Sequence, residues 1–192
     1  MNFRPKDLVS LGVFTAVYLV LYFAINMLAA FSPFLQPITS LAVIVICGIA
    51  FMLFLSRVRS TGLVTLMALL LGVLSTLMGH HALTLASAVV AGVGAELVIV
   101  TKREYRVGTD VLGYAVFSLW SAGAILPLLF LREDTIAQVR AQMGGGYADA
   151  YAGLMTPSVV VAIVAGYFVA GLVGGLLGRK ALAKHFVKAG LA

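Results

Sequence analysis

Residues 8–56 read LVSLGVFTAVYLVLYFAINMLAAFSPFLQPITSLAVIVICGIAFMLFLS, 49 consecutive positions without a charged side chain. The hydrocarbon core of a bilayer is about 30 Å thick, and a helix crosses it in about 20 residues. The stretch is therefore too long for one crossing and predicts two, joined by a tight connection. Ser32-Pro33 and Gln36-Pro37 mark that connection, because proline removes a helical hydrogen bond and biases the residue before it away from helical dihedrals.

The same measure extends along the chain. Ser60 to Ala95 gives 36 further uncharged positions, apolar character continues to Val100, and Gly79-His80-His81 divides the run into two more spans. A fifth lies within Val111–Leu131, with Pro127 expected to kink it one turn below its end, and a sixth within Ala150–Gly178. The expectation is an all-α integral membrane protein, one transmembrane domain over residues 1–192 with six transmembrane helices near 8–30, 38–56, 61–79, 82–100, 110–131 and 157–179. Composition agrees: 62% of residues are hydrophobic and only 10% charged, with a mean hydropathy of +1.10. A soluble domain is excluded.

Charge then orients the bundle. Lys and Arg number 13 against 7 Asp and Glu, a net charge of +6, and in so apolar a chain the excess reads as topology rather than as a nucleic-acid surface. With the N-terminus inside, eleven bases from Arg4 to Lys188 fall on the cytoplasmic side and only Arg132 and Arg140 outside. Both termini are then cytoplasmic, and the outer face carries loops 31–37, 79–82 and 132–155. The first apolar segment is not expected to be a cleavable signal, since further spans follow it directly. The single cysteine, Cys47, excludes disulfide frameworks and thiolate metal sites.

The outer loop 132–155 reads as a lid. Ile136, Val139 and Met143 share one helical face, which predicts a short interfacial helix ended by Gly144-Gly145-Gly146. The three glycines suit a hinge or a simple flexible connector. Tyr147, Tyr151 and Met155 recur at four-residue spacing, and Thr156-Pro157 reads as N-cap and first residue of the sixth span.

Few side chains offer chemistry. The ligand-binding candidates are Asn26, Gln36, His80, Trp120, Tyr147 and Tyr151, which three outer loops and the adjoining spans are able to bring together. His80 and His81 also admit a metal, but no third ligand lies near in sequence, and ordinary interfacial histidines are the simpler reading. Trp120, near the middle of its span, either stacks a flat ligand or packs between helices. Glu96 is the one acid inside a span, about one turn from Thr101-Lys102-Arg103. It pairs with those bases or, in the alternative, couples protons in a stand-alone secondary carrier. Gly174-Gly175-Leu176-Leu177-Gly178-Arg179-Lys180 has the wrong spacing for a phosphate loop and no preceding strand, so the chain is no ATPase. No catalytic residues, metal site or cofactor are predicted. Gly12 and Ala16 form a small-residue pair on the first span, and Gly166, Ala170, Gly174 and Gly178 repeat every four residues on the sixth. Both patterns permit close helix approach, within the bundle or to a partner protein.

These features converge on one likeness. Gly92-Val93-Gly94-Ala95-Glu96-Leu97 with Tyr105, Tyr114-Ala115-Val116-Phe117-Ser118-Leu119, Leu126-Pro127, and the tail from Gly171 to Lys180 and on through Lys184-His185-Phe186-Val187-Lys188-Ala189-Gly190 resemble the motifs of the Trep_Strep bacterial integral membrane family, placed among the S components of energy-coupling factor (ECF) transporters. The resemblance spans essentially the whole chain, and the Lys-His-Phe-x-Lys-Ala-Gly ending is its most specific element. It implies a substrate-capture subunit in the bacterial plasma membrane, working with a transmembrane coupling subunit and two ATPases. Such a subunit binds a small vitamin-like or chelate ligand at its outer half under closing loops and reorients to release it inward. Gly12 and Ala16 match the spacing of the family's docking motif, with glycine in place of its usual first alanine. Members that bind nickel or cobalt begin with a methionine-histidine pair; Met1-Asn2-Phe3 here speaks against a bare divalent cation.

Overall fold

A computed structural model describes residues 4–58, 60–101 and 106–186. Among these residues every regular element is helical: α1 (Pro5–Asn26), α2 (Leu35–Arg57), α3 (Leu63–Leu77), α4 (Leu83–Thr101), α5 (Arg106–Phe117), α6 (Pro127–Phe130), α7 (Arg132–Met143), α8 (Gly145–Leu154) and α9 (Pro157–Ala181). Short 3₁₀ segments follow α1 (Met27–Phe31) and α5 (Ser118–Ala124), and a π turn follows α9 (Leu182–Phe186).

Among the described residues, four helices are long and apolar enough to cross a membrane: Pro5–Phe31, Leu35–Arg57, Leu83–Val100 and Pro157–Lys184. The other two expected crossings differ from uniform helices. α3 has only 15 residues, about 22 Å, and the fifth segment gives up α geometry at Ser118, nine residues before the proline expected to kink it. The cause is local. Ser118 Oγ donates to Ala115 O, 2.8 Å away, and lies equally close to Tyr167 O on α9, and such back-bonding competes with the helical ladder. Gly123 then presses the 3₁₀ segment onto Thr84 and Ser87 of α4, where any Cβ would collide. Pro127 merely opens the four-residue α6.

The first connection is also displaced. α2 starts at Leu35, so Gln36 and Pro37 occupy its first turn instead of the loop; proline is tolerated there because first-turn N–H groups have no intrahelical acceptor.

Helix contacts rest on small residues. A Cβ at Gly174 would sit 2.8 Å from Val45 O, and one at Gly178 would sit 2.5 Å from Gly48 O, so α2 and α9 touch backbone to backbone. Gly72 against Ala88 and Gly92 against Ala68 set the antiparallel register of α3 and α4 in the same way. Between these pairs runs a buried aromatic column of Tyr18, Tyr22, Phe51, Tyr114, Phe117 and Trp120. α1 is the least covered of the four long helices.

The end of the bundle holding the start of α1 and the end of α9, here the basic end, is tied by acids. Asp7, 1% exposed, accepts from Arg4 at 3.0 and 3.1 Å and from Ser60 Oγ at 2.6 Å. α7 and α8 cover the opposite end, the lid end.

Candidate functional site

The aromatic column ends, toward the lid, in a polar cluster. On α1, Leu11, Thr15, Tyr18 and Tyr22 form the buried stripe, and Asn26 extends it by one turn. The Trp120 ring lies 4.8 Å from Tyr22 and 6.2 Å from Tyr18, and its Nε1–H donates to Tyr18 Oη at 3.3 Å. Ser87 Oγ donates to the Trp120 carbonyl at 2.8 Å. Trp120 is thus packed between helices, 1% exposed, and holds α1, α4 and the 3₁₀ segment together.

His80 joins from the α3–α4 connection. Its ring meets Phe23 edge-on at 5.7 Å, and Nδ1 lies 3.2 Å from Ser75 O. Burial pushes its pKa below the ordinary histidine range, with the Ser75 carbonyl opposing the shift, so the ring is neutral at pH 7. His81 turns away to cap α4, its Nδ1 accepting from Leu83 N–H at 3.1 Å. With each histidine engaged separately, the shared-metal arrangement is not formed.

Asn26 Nδ2 donates to Tyr22 O at 2.9 Å, and Oδ1 is left buried without a partner. Gln36 stands in the first turn of α2, at the same end of the bundle.

The segment expected to form a lid is a helical hairpin. Only Gly144 (φ 86°, ψ 166°) leaves helical geometry, at dihedrals suited to glycine, and Gly145 and Gly146 already belong to α8. The expected three-glycine connector is therefore a one-residue corner. Arg140 pairs with Asp149 across it. Arg132 donates through its two Nη groups to Met155 O at 2.5 Å and Ala152 O at 2.6 Å, satisfying the last carbonyls of α8. These clasps tie α7 to α8. Ala148, Tyr151 and Met155 seat α8 on the bundle. Tyr147 stacks on Tyr151 at 6.2 Å and donates through its hydroxyl to Ala29 O at 2.9 Å. Burial raises both phenols, Tyr151 to about 12, so both remain hydrogen-bond donors at neutral pH.

At the basic end, Glu96 accepts backbone N–H bonds from Gly62 (2.8 Å), Val64 (2.9 Å) and Thr65 (3.1 Å). The expected pairing with Lys102 and Arg103 lies outside the described residues; what is seen is a carboxylate capping the first turn of α3 across a helix interface. Beside it opens a cavity of about 510 Å³ lined by Ser56, Thr61, Glu96, Asp110 and Arg179 among others, with Arg179 4.0 Å from Asp110.

Tyr18, Tyr22, Ser75 and Thr84 are not among the candidates named from the sequence. The signal for the tyrosines was present: positions 11, 15, 18, 22 and 26 follow helical periodicity. Nothing in the local sequence distinguishes Ser75 or Thr84 from their neighbours.

The helical bundle, its apolar length and its buried aromatic column define an integral membrane protein. Residues 5–188 match the model of a family described as hypothetical bacterial integral membrane proteins (Trep_Strep), and the chain belongs to that family. No curated protein and no solved structure matches it.

Proposed function

We propose that this chain is the substrate-capture subunit of an ATP-driven ECF importer. It binds a small vitamin-like or chelate ligand beneath the α7–α8 lid and delivers it by reorienting on a transmembrane coupling subunit powered by two ATPases. In this reading it resides in the bacterial plasma membrane with both termini cytoplasmic. Six spans are reached by counting α3 and the α5–3₁₀ segment, whose 12 α and 7 3₁₀ residues extend for about 30 Å.

One observation carries the proposal: the small-residue face of α1 is uncovered. Gly12 and Ala16 are exposed, a Cβ at Gly12 would meet nothing within 4 Å, and Val9, Val13, Val17 and Val20 flank them at 42–67% exposure. A smooth face of Gly, Ala and Val lets a partner helix approach closely. The polar and aromatic cluster at the opposite end, under a clasped hairpin, supplies a capture site near Asn26, His80, Trp120, Tyr147 and Tyr151. Glu96, held by three backbone donors, serves as a helix cap, which favours this reading over a proton-coupled carrier.

Co-purification in nanodiscs with the coupling subunit and ATPases of the same bacterium tests it. A stable complex, lost in Gly12→Leu, is expected. No association, together with uptake that survives deletion of the coupling genes and collapses with an uncoupler, would favour the carrier instead.

A further inference from the structure

Three side-chain hydroxyls near the lid end, Ser75, Thr84 and Ser121, are at most 1% exposed, and none makes a well-formed hydrogen bond within the chain; Ser121 alone has a polar neighbour, the Tyr22 hydroxyl. They come from three elements, α3, α4 and the 3₁₀ segment, with α4 packed against both of the others, and they stand at about one level of the bundle. Gly72 meets Leu85 and Ala88, so Ser75, one turn further along α3, stands level with Thr84, one turn before Ala88. Gly123 lies directly on Thr84, with Ser121 two residues away. The unpartnered Asn26 Oδ1 joins through Phe23, whose ring touches His80, and His80 in turn contacts Ser75 O.

A buried hydroxyl without a partner gives up its hydrogen bonds to water and regains none, and native proteins leave few such groups. Alanine or valine of nearly the same shape would remove that cost. Three orphans on adjoining elements, with an unpartnered amide oxygen at the same end of the bundle, therefore point to something that completes them.

We propose that Ser75, Thr84, Ser121 and Asn26 form the hydrogen-bonding floor of a site for a small uncharged ligand bearing amide or hydroxyl groups. The hydroxyls both donate and accept, whereas Asn26 Oδ1 only accepts, so the ligand must present at least one N–H or O–H. None of the four side chains carries a charge, and a charged ligand desolvated among them would lack the partner that burial of an ion requires. The proposal rests on the reading of the lid end as the capture site, but not on docking to a coupling subunit.

The full chain in detergent, alone, is melted with two matched sets of probes differing only in charge: benzamide, benzoate and benzylamine, and butyramide, butyrate and butylamine. The expected result is a rise of about 2 °C or more with an amide at saturation and none with its acid or amine. The Ser75→Ala/Thr84→Val/Ser121→Ala variant should melt no lower than wild type without probe, yet lose the response. Ser121→Ala alone serves where the triple variant does not fold. Equal protection by benzoate or benzylamine, no protection by either amide, or a response surviving in the variant would overturn the proposal. Failure here breaks the ligand class and leaves docking to its own test, and the reverse holds equally.

Discussion

α1 and α9 both carry small residues at four-residue spacing, and the bundle treats them oppositely. On α9, Gly174 and Gly178 are buried against the α2 backbone, where a methyl group has no space. On α1, Gly12 and Ala16 face outward and a Cβ at Gly12 meets nothing. The same pattern therefore marks a closed interface in one helix and an open one in the other. What separates them is the opposing helix: α2 offers Gly48 to α9, whereas nothing in the described chain lies over Gly12.

The largest expected effect strikes the closed interface. Gly48→Ala sets a methyl group into the Gly174 backbone, which has no rotamer with which to yield, so α2 and α9 must part, at about 3 kcal/mol or more. Unfolding in detergent measures it, and a near-wild-type midpoint would break the account of the α2–α9 contact.

Next comes the cap that ties α4 to α3. Glu96→Ala orphans three backbone donors and should cost about 2–3 kcal/mol, with Glu96→Gln intermediate. If Glu96→Gln matched wild type in stability but abolished uptake, the acid would be a proton carrier rather than a cap.

A smaller effect follows from His80. Its folded-state pKa is depressed by burial, so the unfolded chain binds more protons at acidic pH. The stabilisation is therefore complete above about pH 6.5, the unfolded value, and is lost as pH falls through the folded value. Melting between about pH 7.5 and 5.5 should show the decline, and His80→Gln should flatten it.

The smallest effect belongs to the open interface. Gly12→Leu fills empty space and replaces a poor helix former, so the isolated protein should be unchanged or more stable by up to about 1 kcal/mol. A loss comparable to that of Gly48→Ala would show that α1 uses this face internally, and the contrast with α9 would collapse.

Much of the architecture was legible from charge spacing. Apolar run lengths located the long helices, and Thr156 does cap α9, accepting from Val159 N–H at 3.4 Å. Segment 132–155 was legible as a helix with a glycine break, but not as two helices, because a run of three glycines does not disclose that only Gly144 needs a positive φ. Of the binding candidates, His80 and Trp120 fall in one cluster and Asn26 adjoins it. Gln36 and Pro37 fall in a helix rather than the expected loop because proline reads locally as a break, although the first helical turn accepts it.

Sequence by itself determined the solvent of this protein and the ends of its longest helices, since desolvating charge is costly enough for its spacing alone to mark membrane depth. Only tertiary structure decided which small residues are closed and which open, that Glu96 caps a neighbouring helix, and that the hydroxyls of Ser75, Thr84 and Ser121 are buried without a well-formed hydrogen bond. The reason is physical: each of these depends on what stands opposite a residue, and in a bundle the opposite residue comes from a distant part of the chain.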